Sequence, residues 1–287
     1  MPLDAGLWVG RRLGDLMRIL AGKRYHVALK NLRIAYGSQL TRSERERIAK
    51  ECFQHFGMMA IESVKFSTLP PEEVFRRIDV DPEYRRRVEE LFDSRDRGVL
   101  FLSGHQGNFE VAGRYWALMG RKVCALARNN RDPRMTALMT SLRNRMGIEV
   151  LPISGSLKRI VSALREKAAV AIICDQNASD VYVPFFGQPT GTADGPARIA
   201  LKFGVPMLFF ACIRTGRGRY RVIDGGIYTP ENTGDEAADI AAATTELNRR
   251  LEMLIRMHPE QWLWFHDRWR ASPDVHDPGE AALTPAR

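Results

Sequence analysis

The spacing of apolar positions changes character along the chain. In the first twenty residues Val9, Leu13, Leu16, Met17 and Leu20 share one helical face, with Trp8 at its edge, while Arg11, Asp15 and Arg18 lie opposite. Thr41 and Glu44 make a capping box that opens a helical pattern running towards Val64. Pro70 and Pro71 start a short helix, and residues 82–92 read as another. From Gly98 the pattern shortens. Residues 99–102 read as a buried strand, and strand-like runs recur over 122–127, 148–153 and 168–174, with helical segments over 107–119, 133–146 and 156–166 between them. Residues 184–191 read as a loop. Pro196 opens a helix, 206–213 and 219–223 are strands, and 235–257 is a long helix whose first acids suit its dipole. Residues 272–287 carry three prolines and three acids and read as a loose tail.

Strands alternating with helices predict an α/β fold with a central, mixed but mostly parallel sheet flanked by helices. No repeat and no linker divides it, so three segments are expected: an amphipathic helix over 1–24, one domain over 25–271 and a flexible tail over 272–287. Sites in such sheets form at the carboxyl ends of the strands.

Composition narrows the partners. Of the 287 residues 45% are hydrophobic and 27% charged, which is ordinary for a folded domain and excludes disorder over most of the length. Lys and Arg number 43 against 34 Asp and Glu, a net charge of +9 that favours nucleic acid, anionic lipid or a phosphorylated substrate. The arginine-rich runs 42–47 and 85–87 are broken or followed by glutamates, as on solvated helices, and no nucleic-acid-binding pattern is present. A nucleic-acid partner is therefore set aside. Cys52, Cys124, Cys174 and Cys212 are widely spaced and read as reduced core residues, not a zinc or disulfide set.

No apolar run reaches the 18 or so residues of a membrane span, and Arg11, Arg12, Asp15 and Arg18 interrupt any signal-like core. A chain that neither spans a bilayer nor is exported is expected. The first helix has two readings: it lies in a membrane interface with its arginines on lipid phosphates, or it packs its apolar face on the domain. Gly6, Gly10 and Gly14 add a stripe that lets another helix approach closely.

Three strand ends carry chemistry. The first holds His105 and Glu110, with Gly104 and Gly107 allowing a tight turn between strand and helix. Glu110, in the first helical turn, is expected to reach back to the imidazole and make His105 a general base; a loop histidine capped by a glutamate is the alternative. Asn108 either shapes this turn or donates to substrate. The second strand end runs from Arg128 to Arg131 and is a cationic element or a solvated basic loop. The third, Asp175 and Gln176, braces Arg128 or a substrate, or caps a helix. Trp262, Trp264, Phe265 and Trp269 read as core and interface aromatics. No nucleophile elbow is visible.

The spacing of His105 and Glu110 resembles the H-x4-D/E motif of glycerolipid-type acyltransferases. More closely, the chain resembles the bacterial lipid A biosynthesis acyltransferases, the late lauroyl and myristoyl transferases, from about Arg24 to Arg270. Five segments in the same order carry the likeness: 25–36, 98–110, 128–133, 174–187 and 258–268. The resemblance implies a glycerolipid acyltransferase-like fold and an O-acyltransferase of lipid A and lipopolysaccharide biosynthesis. It would move a fatty acyl chain from a thioester on acyl carrier protein or coenzyme A to a hydroxyl of a membrane lipid. It implies work at the cytoplasmic face of the inner membrane, with peripheral or weak anchoring at an anionic surface. It gives His105 the hydroxyl proton, Glu110 the orientation of His105, and Arg128 the oxyanion. Asn108, Arg131, Asp175, Gln176, Phe186 and Gly187 would contact substrate, and no metal or other cofactor is implied. Departures are the short basic N-terminal stretch, Asp132 where relatives commonly carry Asn, and a shortened region between Asn177 and Val183. They leave open a related acceptor such as a phosphatidylinositol mannoside, an ornithine lipid or an aminoacyl lipid.

Overall fold

The apolar run that follows Gly98 forms the middle of the sheet. A computed structural model describes residues 3–153, 155–270, 272, 275 and 277. Helices α1 (Leu3–Leu20), α2 (Gly22–Tyr36), α3 (Arg42–Phe66) and α4 (Pro71–Arg77) precede β1 (Ile78–Val80) and α5 (Pro82–Asp93). The alternating part runs β2 (Val99–Ser103), α6 (Phe109–Leu118), β3 (Val123–Ala127), α7 (Pro133–Arg145), β4 (Ile148–Pro152), α8 (Leu157–Arg165) and β5 (Ala169–Ile173). A hairpin of β6 (Asn177–Phe185) and β7 (Gln188–Thr192) leads to α9 (Gly195–Phe203), β8 (Met207–Gly216), β9 (Arg219–Tyr228) and α10 (Glu236–Met257).

Seven strands form one sheet in the order β1-β9-β8-β2-β5-β3-β4, parallel throughout except for the β8–β9 pair. All five residues of β2 are buried, which is why it reads as a continuous apolar run and not an alternating one. Leu100, Leu102, Val170 and Phe209 point to one face, where they meet α2, α3, α8, α9 and α10; Val99, Phe101, Ala169 and Phe210 point to the other, against α5 and α6. The single α/β domain is thus the expected one. The four cysteines are buried and unpaired, and burial pushes the Cys52 thiol up to about 12.

Two elements differ from the expectation. β1 closes the sheet edge by pairing with β9, Ile78 opposite Tyr220, a distant contact with no local periodic signal. Residues 177–192, read partly as a loop, form the β6–β7 hairpin. Its tip has positive φ at both central residues, Phe186 (50°) and Gly187 (71°), the backbone of a type I′ turn. A phenylalanine at the first of these, with Pro184 opposite Pro189, hides the hairpin from turn statistics.

The N-terminal helix seats on α3 through its glycine stripe. A Cβ at Gly14 would lie 2.3 Å from the Phe53 carbonyl oxygen, and one at Gly57 only 2.2 Å from that of Gly10. The two backbones therefore touch. Gly6, Leu7, Gly10 and Gly14 are the buried residues of α1, while Leu13 (45% exposed), Leu16 (49%), Met17 and Leu20 face outward with Trp8. The apolar face is not packed on the domain. Among the described residues no helix is long and apolar enough to cross a membrane. Of the expected tail, Asp277 pairs with Arg33 of α2 at 2.5 Å; apart from Ser272 and Val275, the rest lies outside the described residues.

Candidate active site

β2 and β5 are neighbours in parallel register, with Ser103 opposite Ile173. Two residues beyond each lie His105 and Asp175, so the pairing delivers both to one point on the carboxyl edge. His105 Nδ1 is 2.6 Å from Asp175 Oδ1. The second carboxylate oxygen accepts the His105 backbone N–H at 2.6 Å and the Trp262 indole N–H at 2.7 Å. Asp175 is almost fully buried, whereas about a quarter of the His105 side chain (23%) is open.

This geometry places one proton of the pair. Burial alone would raise the Asp175 carboxyl, but the facing His105 and the hydrogen bonds from His105 and Trp262 outweigh it and hold the group below its ordinary 3.8. An ionised carboxylate only accepts, so Nδ1 carries a proton, and Nε2 has no hydrogen-bond partner among the described residues. The ring also packs edge-on against Phe109, with centroids 5.5 Å apart.

Glu110 does not make the expected contact. Its carboxylate accepts from Arg143 Nη2 at 2.6 Å and from Nε at 3.0 Å. The reason is helical: Phe109 opens α6 and abuts the imidazole, and the next residue points about 100° round the axis, here towards α7. The carboxylate partner of His105 is therefore Asp175, which the sequence offers equally as a brace or a helix cap. Only knowledge that β2 neighbours β5 would have singled it out.

The remaining candidates separate. Asn108 is fully buried and caps α6: its Oδ1 accepts the Val111 N–H at 3.2 Å and its Nδ2 donates to Glu62 at 3.2 Å. It shapes the turn and presents no surface to a substrate. Phe186 is buried among Tyr36, Trp264 and Trp269 with the Arg256 guanidinium 4.5 Å above its ring, so it belongs to the core; Gly187 is exposed at the hairpin tip. Gln176 is exposed next to Asp175. Arg128 and Arg131 are exposed on the connection after β3. With β5 between β2 and β3, Arg128 stands two strand spacings, about 10 Å, along the edge from His105. A cavity of about 700 Å³ lies against β3 at Leu126; Leu157, Ile160, Ile199, Phe203 and Ile240 form its apolar wall, and Arg198, Lys202, Glu236 and Asp239 its charged one.

Two residues of the C-terminal segment 258–268 stand close to Asp175. Trp262, read as a core aromatic, donates to Asp175. Arg268 is fully buried, donating to the Gly191 carbonyl at 2.5 Å and the Thr192 hydroxyl at 2.8 Å, and its burial lowers it to about 10 despite Asp175 nearby.

A histidine held by a buried carboxylate at the carboxyl edge of parallel strands, its second nitrogen unpartnered among the described residues, is the equipment of a general acid–base enzyme. The pattern of the family described as bacterial lipid A biosynthesis acyltransferase matches residues 1–271, and the chain belongs to that family. It is 27% identical to the lipid A biosynthesis palmitoleoyltransferase of Escherichia coli (strain K12) over 278 residues, covering 95% of this chain and 87% of the relative. With the lipid A biosynthesis lauroyltransferase of the same organism it shares 24% identity over 280 residues, 96% of this chain and 88% of the relative. The phosphatidylinositol mannoside acyltransferase of Mycobacterium tuberculosis (strain ATCC 25618 / H37Rv) is 27% identical over 180 residues, 61% of this chain and 55% of the relative.

Proposed function

We propose that this acyltransferase moves a fatty acyl chain from a thioester, on acyl carrier protein or coenzyme A, to a hydroxyl of a lipid A precursor. The observation that carries the reading is the His105–Asp175 pair with Nε2 unpartnered among the described residues. Nε2 takes the proton of the acceptor hydroxyl, and the oxygen attacks the thioester carbonyl. Asp175 stabilises the imidazolium that forms. The C–S bond then breaks, and the thiolate leaves with the proton returned by His105. Arg128 is assigned to the developing oxyanion, a task worth roughly 3–4 kcal/mol. The mechanism uses neither an acyl-enzyme nor a metal. Arg131 and Gln176 are assigned to substrate contact, and the cavity against Leu126, two residues before Arg128 in the chain, is assigned to the hydrocarbon chain through its apolar wall.

The acceptor reading follows coverage: the lipid A relative matches over 95% of this chain and the mannoside relative over 61%. The exposed apolar face of α1 supports peripheral attachment to an anionic inner-membrane surface. Purified protein should transfer acyl groups from a thioester to a lipid A precursor, and His105→Ala should abolish transfer while remaining folded. Lipids from a deletion strain should lack one acyl chain. Turnover by His105→Ala at the wild-type rate would sink the mechanism.

A further inference from the structure

Three buried side chains that the acyl-transfer reading leaves without a role meet behind the 104–108 turn. His55 and Glu62 are seven residues apart on α3 and so share a face; Arg214 comes from β8. Arg214 Nε donates to Glu62 Oε1 at 2.6 Å and Nη2 to Oε2 at 2.5 Å. Its Nη1 lies 2.6 Å from His55 Nδ1. A guanidinium has only donors, so His55 Nδ1 accepts and the ring proton sits on Nε2. That N–H donates to the Gly107 carbonyl at 3.0 Å. Burial, with the charge of Arg214, holds His55 well below its ordinary value, so the ring stays neutral in this tautomer. At the other end of the relay, Glu62 Oε2 accepts from Asn108 Nδ2. Two consecutive residues of the turn are thus gripped by one network, while Asp175 grips His105 itself.

The turn has no slack of its own. Gly107 has φ of +59°, and a Cβ there would lie 2.0 Å from the Cys212 carbonyl oxygen. Burying His55, Glu62 and Arg214 together is weak as a source of stability, because desolvation offsets most of the attraction. What such a network supplies is a defined geometry.

We propose that His55, Arg214 and Glu62 are positioning residues: by holding Gly107 and Asn108 they keep the His105 ring against Asp175 with Nε2 turned to the acceptor. The proposal rests on the acyl-transfer reading. It is tested on the full chain with His55→Leu, His55→Gln and Glu62→Gln, each assayed where it is fully folded. His55→Leu and Glu62→Gln should lower kcat about a hundredfold, the scale of a roughly 1 Å misplacement, with the donor KM within about twofold. Glutamine at 55 offers an acceptor to Arg214 and a donor to Gly107, so it should recover kcat to within about tenfold of wild type. Hydrogen exchange at the Gly107 amide, which is bonded to the Gln261 carbonyl at 3.0 Å, should quicken in His55→Leu. Should the leucine variant not fold, Arg214→Lys takes its place, since one ammonium cannot reproduce the fork, and it should show the same split. Wild-type kcat in these folded variants, or a loss that His55→Gln fails to recover, overturns the proposal. If the wild-type protein transfers no acyl group, the acyl-transfer reading fails instead. Gly107 exchange still reports on the grip, and unchanged exchange in His55→Leu refutes it.

Discussion

His105 and Asp175, seventy positions apart in the chain, make two contacts of 2.6 Å, one through the ring and one through the backbone amide. The same carboxylate therefore fixes the tautomer of the imidazole and the place from which it projects.

Asp175→Asn should cost about 10³- to 10⁴-fold in kcat, the scale of an amide replacing a triad aspartate. The amide oxygen can serve the His105 and Trp262 N–H groups, which leaves its NH₂ facing Nδ1 and forces the proton to Nε2. Glu110→Gln should keep kcat within about tenfold but lose about 3 kcal/mol of stability in urea unfolding, because it leaves Arg143 poorly paired. If Glu110→Gln loses activity like Asp175→Asn while equally stable, the assignment of the two carboxylates is reversed.

Arg128→Ala should lower kcat by about 10²- to 10³-fold and leave the donor KM nearly unchanged, since an oxyanion exists only in the transition state. Steady-state kinetics with varied thioester separate the two. A rise in KM alone would make Arg128 a binding cation.

Stability should fall in mild acid. His55 and His266 are both held below their ordinary 6.5, burial being the foremost cause for each. The unfolded chain takes up protons that the native state refuses, so their contribution is complete above that pH and shrinks as the pH drops below it. Asp175 acts lower down: its share persists above its ordinary 3.8 and is lost as the pH falls through its depressed native value. Thermal melts between about pH 8 and pH 5 should decline in the lower part of that range, and His55→Gln should flatten the decline. A flat profile for the wild-type protein would refute the buried-neutral assignment.

Leu13 and Leu16 are about half exposed, so replacing both by Asp should leave the melting temperature unchanged and abolish flotation with anionic liposomes. Wild-type binding should strengthen with anionic lipid and weaken with salt, each basic residue near the surface contributing about 1 kcal/mol. Salt-insensitive flotation, or retention of the double variant, counts against α1 as the contact.

Gly14→Val should separate α1 from α3, because its Cβ meets the Phe53 carbonyl oxygen at 2.3 Å where neither backbone can yield. The expected cost is about 1–3 kcal/mol, with faster proteolysis within residues 3–20. An unchanged melt and digestion pattern would mean that the glycine seam is not the seat.

The chain by itself determined the elements whose signals are local. The capping box of Thr41 and Glu44 forms as spaced, and the buried run at 99–102 is the sheet's central strand. The glycines of α1 mark a close helix contact, and His105 stands at a strand end. These rest on hydrogen bonds and periodicities within a few residues, which a sequence displays directly. Tertiary structure decided everything that depends on which strand lies beside which. The partner of His105 is Asp175 because β5 pairs with β2 in register, and no spacing rule links positions 105 and 175. Glu110 turns to Arg143 because the first turn of α6 faces α7. The grip on Gly107 and Asn108 joins α3 to β8, 152 residues apart between Glu62 and Arg214. Such contacts join side chains from elements far apart in the chain, so a local pattern carries no trace of them.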